Sequence, residues 1–105
     1  MNFNDPDRWV ILEMSVSPDE TVRKVLAGWY GGYLGSDSWK LSSGITEVTE
    51  DEHHFEFINV SGSIYRCRKN AYGMSGLMCE MYDSWLDNVK NIQGASIKIV
   101  EEYCQ

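Results

Sequence analysis

The segment Glu50–Glu56, EDEHHFE, gathers two imidazoles and four carboxylates, the donor types that hold a transition metal. Adjacent residues of an extended chain point to opposite faces, so His53 and His54 cannot readily share one ion. The segment therefore reads as a solvated turn, with no metal assigned. Gly73-Met74-Ser75-Gly76 offers a serine between a strand and a helix, the place of a hydrolase nucleophile. It lacks the G-x-S-x-G pattern, and both histidines precede it, so Ser75 is expected to cap a helix instead. The carboxylate runs Glu50-Asp51-Glu52 and Glu101-Glu102 lack the apolar surroundings that acid–base work requires. No lysine follows a glycine cluster as a phosphate loop demands. Cys67, Cys79 and Cys104 are odd in number and contain no C-x-x-C pair, which points to free thiols in a reducing cytoplasm. No catalytic residue and no cofactor is assigned.

Recognition chemistry is better represented. Ala27–Trp39, AGWYGGYLGSDSW, places Trp29, Tyr30, Tyr33 and Trp39 among four glycines. Rigid rings give contact area at small entropic cost, and glycine lets a backbone approach closely. Tyr33 and Trp39, beyond the Gly31-Gly32 pair, are the leading candidates for contact with a small molecule or peptide, with Tyr30 and Tyr72 as companions. A second surface is acidic. Glu80, Asp83 and Asp87 recur at helical spacing and would form a docking stripe for a basic protein, as in an immunity or antitoxin-type inhibitor. The formal charge of −7 argues against nucleic acid, whose backbone requires a basic face. Arg66, Arg68 and Lys69 form the one basic cluster, expected to balance the acidic Glu47–Glu56 stretch across a sheet.

These groups must be carried by a single domain spanning residues 1–105, since the chain has the length of one. With 43% hydrophobic and 12% aromatic residues it has the material for an ordered core. The apolar run Trp9–Leu12 is too short for a signal or a membrane span, so a soluble cytoplasmic protein is expected. Trp9–Val16 alternates with period two, which predicts an interior strand. Ser17-Pro18-Asp19-Glu20 resembles a capping box, and Val22, Val25, Leu26, Trp29 and Tyr30 follow at i, i+3, i+4, i+7 and i+8. That pattern predicts a helix ended by Gly31-Gly32. Trp39–Glu50, His54–Val60 and Ser63–Lys69 read as an antiparallel meander. Ser61-Gly62 would close its second turn and set Phe57 and Phe55 opposite Arg66 and Arg68. Ser75–Lys90 is the clearest helix, with an apolar arc wider than one sheet needs. The surplus predicts a second neighbour, either the first helix or another copy in a homodimer. Ser96–Tyr103 closes the chain as a strand. The order β-α-β-β-β-α-β gives an α+β fold, a mostly antiparallel sheet of about five strands with two helices on one face, as a ferredoxin-like variant.

WKLSSGI at Trp39–Ile45, SGSIYRC at Ser61–Cys67 and NAYGMSG at Asn70–Gly76 resemble small uncharacterised proteins carried on bacterial integron gene cassettes. The resemblance covers about the middle third of the chain. It implies a compact, soluble accessory protein, often oligomeric, and carries no catalytic or binding residue across. Together these readings predict a non-enzymatic binding module, with the acidic inhibitor second and an enzyme of unrecognised site third.

Overall fold

The computed structural model describes residues 2–17, 19–31 and 35–104. Its elements run β1 (Phe3–Asn4), β2 (Arg8–Ser17), β3 (Glu20–Trp29), β4 (Ser38–Leu41), β5 (Ile45–Glu50), β6 (His54–Asn59), β7 (Ile64–Arg68), a 3-10 turn (Lys69–Ala71), α1 (Gly76–Val89) and β8 (Ser96–Val100). They form two four-stranded sheets. An inner sheet has the order β4-β3-β2-β8, and an outer sheet the order β1-β7-β6-β5. All pairings are antiparallel except β1 with β7.

The alternation at Trp9–Val16 becomes β2, which is interior, flanked by β3 and β8. Its odd positions Trp9 and Ile11 join Val25, Ala27, Phe55, Phe57, Tyr65 and Cys67 in a core between the sheets. Its even positions Val10 and Leu12 join Leu26, Ile97 and Met78 under α1. The inner sheet is therefore covered on both faces, by the outer sheet on one and the helix on the other. Trp9 is fully enclosed; its ring meets those of Phe57 and Tyr72 at 5.5 and 4.8 Å, and its Nε1 donates to the carbonyl of Arg68 at 2.7 Å.

The helix expected over Val22–Tyr30 is instead the strand β3, and this overturns the ferredoxin-like order with its two helices. Ser17 pairs with Glu20 in the antiparallel β2–β3 ladder, so no helix starts at the stretch read as a capping box. Ser, Pro and Asp serve turns as well as helix starts. A strand with both faces buried shows no alternation, and Val25, Leu26 and Ala27 are indeed buried in succession. A run of that kind satisfies helical spacing by coincidence. Gly28 fits the strand better than a helix interior: a Cβ there would lie 2.4 Å from Met78 Sδ, so its absence lets α1 approach the sheet.

Two other expectations change. The stretch Trp39–Glu50 is not one strand of a meander, because β4 belongs to the inner sheet and β5 to the outer. The crossing is made at Ser42–Gly44. Ser42 donates its N–H to the Val25 carbonyl at 2.9 Å and accepts the Val25 N–H on its Oγ at 2.8 Å. Ser43 Oγ then bonds Ser61 Oγ at 3.0 Å, and Val60 N–H donates to the Gly44 carbonyl at 2.9 Å. The β6–β7 turn is also one residue longer than expected, with the Gly62 N–H donating to Asn59 O at 2.8 Å and Gly62 at φ +89°. This is the three-residue hairpin with a left-handed glycine. The register shifts by one, so Phe57 faces Tyr65, Phe55 faces Cys67 and Glu56 faces Arg66. The expected Phe–Arg stacks are not formed; Lys69 lies over Phe55 instead, Nζ 5.1 Å from the ring centroid.

The helix α1 starts as expected, Ser75 Oγ accepting the Met78 N–H at 3.3 Å. It rests on the inner sheet through Met78, Tyr82, Trp85, Leu86 and Val89. No helix of the described residues is long and apolar enough to cross a membrane.

Candidate ligand-binding site

Three chain segments meet at the end of the sandwich where β2 begins. Asp7 and Arg8 lead into β2, and Arg8 pairs with Gly28, so the antiparallel register brings Tyr30 beside them. The Asp7 N–H donates to the Gly28 carbonyl at 2.9 Å, and Asp7 Oδ2 accepts the Tyr30 N–H at 2.8 Å. The third segment, Arg68–Gly73, is drawn in by the Trp9 indole bond to Arg68 and by the Gly73 N–H, which donates to the Trp9 carbonyl at 2.9 Å. Together they line an open cavity of about 550 Å³, bounded by Asp7, Arg8, Tyr30, Arg68, Asn70 and Ala71.

Arg8 is seated by a glycine. Gly73 has φ +143°, and a Cβ at that residue would stand 2.1 Å from Arg8 Nη2. Only a residue without a side chain leaves room for the guanidinium, in a backbone conformation that L side chains rarely adopt. Arg8 Nη2 donates to the Tyr72 carbonyl at 3.2 Å, while Nε is buried and makes no hydrogen bond. Arg68 is half-exposed and loosely held, Nη2 lying 3.4 Å from Asp7 O and 3.9 Å from Asp7 Oδ1.

A second depression, about 320 Å³, shares Arg68 and Asn70 and is otherwise lined by Glu52, His53, His54 and Lys69. Asp51 organises that turn: its Oδ1 accepts the backbone N–H groups of His53 and His54, each at 2.8 Å. Those two bonds hold the Asp51 carboxyl below its ordinary range. The imidazoles separate, His54 Nδ1 lying 3.5 Å from Asp51 and His53 Nε2 4.0 Å from Glu52. Among the described residues, no three His, Cys, Asp or Glu side chains come together as metal ligands would. Cys67 is enclosed between the sheets, where burial pushes its thiol far up, while Cys79 and Cys104 are exposed.

The residues singled out from the sequence do not converge. Tyr33 lies outside the described residues. Trp39 packs edge-to-face on Trp85, centroids 5.4 Å apart, in the layer under α1. Tyr72 stands on Trp9 and its hydroxyl donates to the Val100 carbonyl; burial raises its pKa. Both rings are structural in this arrangement. Of the described candidate rings, Tyr30 alone is exposed, at 51%, and it edges the cavity. Glu80, Asp83 and Asp87 all face outward on α1, with Lys90 3.3 Å from Asp87. Sequence reasoning passed over Asp7, Arg8 and Asn70. The one local signal for them was Gly73, a glycine placed against a distant arginine that no spacing rule connects to it.

The chain was compared with protein-family models, with curated proteins and with solved structures, and none matched.

Proposed function

We propose that this protein is a non-enzymatic binding module that takes a small molecule or peptide in the cavity beside Tyr30. One observation carries the reading: Tyr30 is a large ring left out of both cores, fixed at its backbone by Asp7 and bordering a concavity of ligand size. The charged groups at the opposite end of the inner sheet are paired with one another, Arg23 with Glu102 at 2.8 Å and Lys98 with Glu13 at 3.1 Å. The test is an NMR screen of small aromatic compounds and short peptides against the labelled protein. Responses should concentrate on Asp7, Arg8, Tyr30, Arg68 and Asn70. Tyr30→Ser should abolish them without lowering the melting temperature. Responses scattered over the surface, or unchanged in that variant, refute the reading.

In the same reading the protein works in the cytoplasm and forms a homodimer through α1. Leu77 and Met81 on that helix remain half-buried, and the second helix expected to cover them is a strand. Sedimentation that stays monomeric at high concentration refutes the dimer. An acidic inhibitor is the second reading. It is favoured by Glu80 and Asp83, which have no ion-pair partner among the described residues, so their field is available for steering a basic protein. A basic partner whose capture survives reversal of Glu80, Asp83 and Asp87 would exclude it.

A further inference from the structure

We propose that the cavity at Tyr30 recognises a carboxylate, gripped by the guanidinium groups of Arg8 and Arg68 with the body of the ligand against the Tyr30 ring. This rests on the binding reading above and names the chemistry of its ligand. Arg8 is the reason. A guanidinium is always charged and offers five N–H donors. Here one donor is used on the Tyr72 carbonyl, and Nε is enclosed and makes no bond, so an acceptor entering from the cavity can meet only the Nη groups. No carboxylate oxygen among the described residues lies within ion-pair distance of Arg8; Lys24 and Lys40 share that condition, but each of the other arginines, Arg23, Arg66 and Arg68, has a carboxylate partner. A chain with 16 acidic residues against 9 lysines and arginines has ample means to supply a counterion. A partly desolvated cation without one is costly unless an anion arrives from outside. The cost is built in by Gly73, whose missing side chain makes the seat.

The charge count selects the kind of anion. The cavity holds Arg8 and Arg68 against Asp7 alone, a surplus of one positive charge that matches a monoanion. Asp7 Oδ2 is taken by the Tyr30 N–H, and Oδ1 faces Arg68 only at 3.9 Å, near the outer limit of an ion pair. A carboxylate can therefore draw Arg68 away at little loss and meet the planar fork of a guanidinium with two parallel bonds. A phosphate dianion would carry a second negative charge against Asp7. The volume of about 550 Å³ admits a ring or short side chain behind the carboxylate, which Tyr30 would stack on.

The experiment titrates the labelled protein with benzoate, phenyl phosphate and benzamide, following backbone amides and the arginine Nε–Hε resonances. Benzoate should shift Arg8, Arg68 and Tyr30 together, benzamide should leave the arginine resonances in place, and Arg68→Gln should weaken benzoate at least about tenfold. Arg68 is a surface residue, so this variant keeps its fold even if Arg8→Gln does not. An equal response to benzamide overturns the carboxylate assignment and leaves the binding reading standing. Tighter binding of phenyl phosphate overturns the choice of a monoanion. Silence of the arginine resonances toward all three probes overturns the proposal, while the wider screen continues to judge the binding reading by Tyr30.

Discussion

Adding one methyl group at Gly28 tests the placement of α1 on the inner sheet. The new Cβ would stand 2.4 Å from Met78 Sδ, 2.9 Å from Met78 Cγ and 3.3 Å from Ser75 Oγ. Met78 is fully buried, so its thioether has no solvent to retreat into. Forcing atoms into such a site costs about 1–3 kcal/mol. Replacing glycine within a strand returns about 0.5–1 kcal/mol of chain entropy. Gly28→Ala should therefore destabilise the fold by about 1–2 kcal/mol in urea denaturation followed by circular dichroism. Met78→Ala alone should cost about 2–5 kcal/mol, from lost packing and the cavity left behind. In that background the two closest contacts are gone and only Ser75 Oγ at 3.3 Å remains, so adding Gly28→Ala becomes near neutral. The double-mutant cycle should thus show a coupling near 2 kcal/mol. If Gly28→Ala costs the same in both backgrounds to within about 0.5 kcal/mol, the two residues do not touch and the reasoning fails.

Trp39→Ala should lower stability by about 2–3 kcal/mol, because it removes a half-buried ring and its edge-to-face contact with Trp85; an unchanged urea midpoint would return Trp39 to the list of free contact residues. A thiol reagent should label Cys79 and Cys104 quickly and Cys67 only after denaturant is added, so three fast thiols in the native protein would refute the enclosed position of Cys67. Asp51 has its pKa lowered in the folded state, so its contribution is present above the ordinary carboxylate range and is lost as the pH falls through and below it. Asp51→Asn should flatten the acid limb of a stability-against-pH curve, and a profile that keeps its slope there would show that the turn bonds do not matter.

How far the sequence was legible varies by element. β2 was legible because Leu12–Ser17 alternates apolar with polar, although Trp9–Leu12 are buried in succession, and Ser75–Val89 carries both an apolar side and a capping serine. β3 was hidden for a physical reason: two covered faces erase the period that distinguishes a strand from a helix. Its β-branched Thr21, Val22 and Val25 and its Gly28 spoke against a helix, but the spacing of the larger residues outweighed them. The β6–β7 register turned on whether Val60 belongs to the strand or to the loop, and a single residue reversed which side chains face each other. The candidate site was the least legible part. Arg8, Tyr30 and the pair Arg68 and Gly73 come from three separate chain segments, and only tertiary pairing reveals that the arginine beside the first tryptophan rests on a glycine 65 positions later.

The crossing at Ser42–Gly44 has a mechanical consequence. Ser42 clasps Val25 at both its N–H and its carbonyl, while the next two residues fasten to the hairpin tip at Val60 and Ser61. The two layers are therefore riveted by three consecutive residues, and neither can slide over the other without tearing that seam. Shear between the layers is resisted at one edge by backbone and hydroxyl bonds. At the Tyr30 end, the Trp9 indole bond to Arg68 plays the corresponding part.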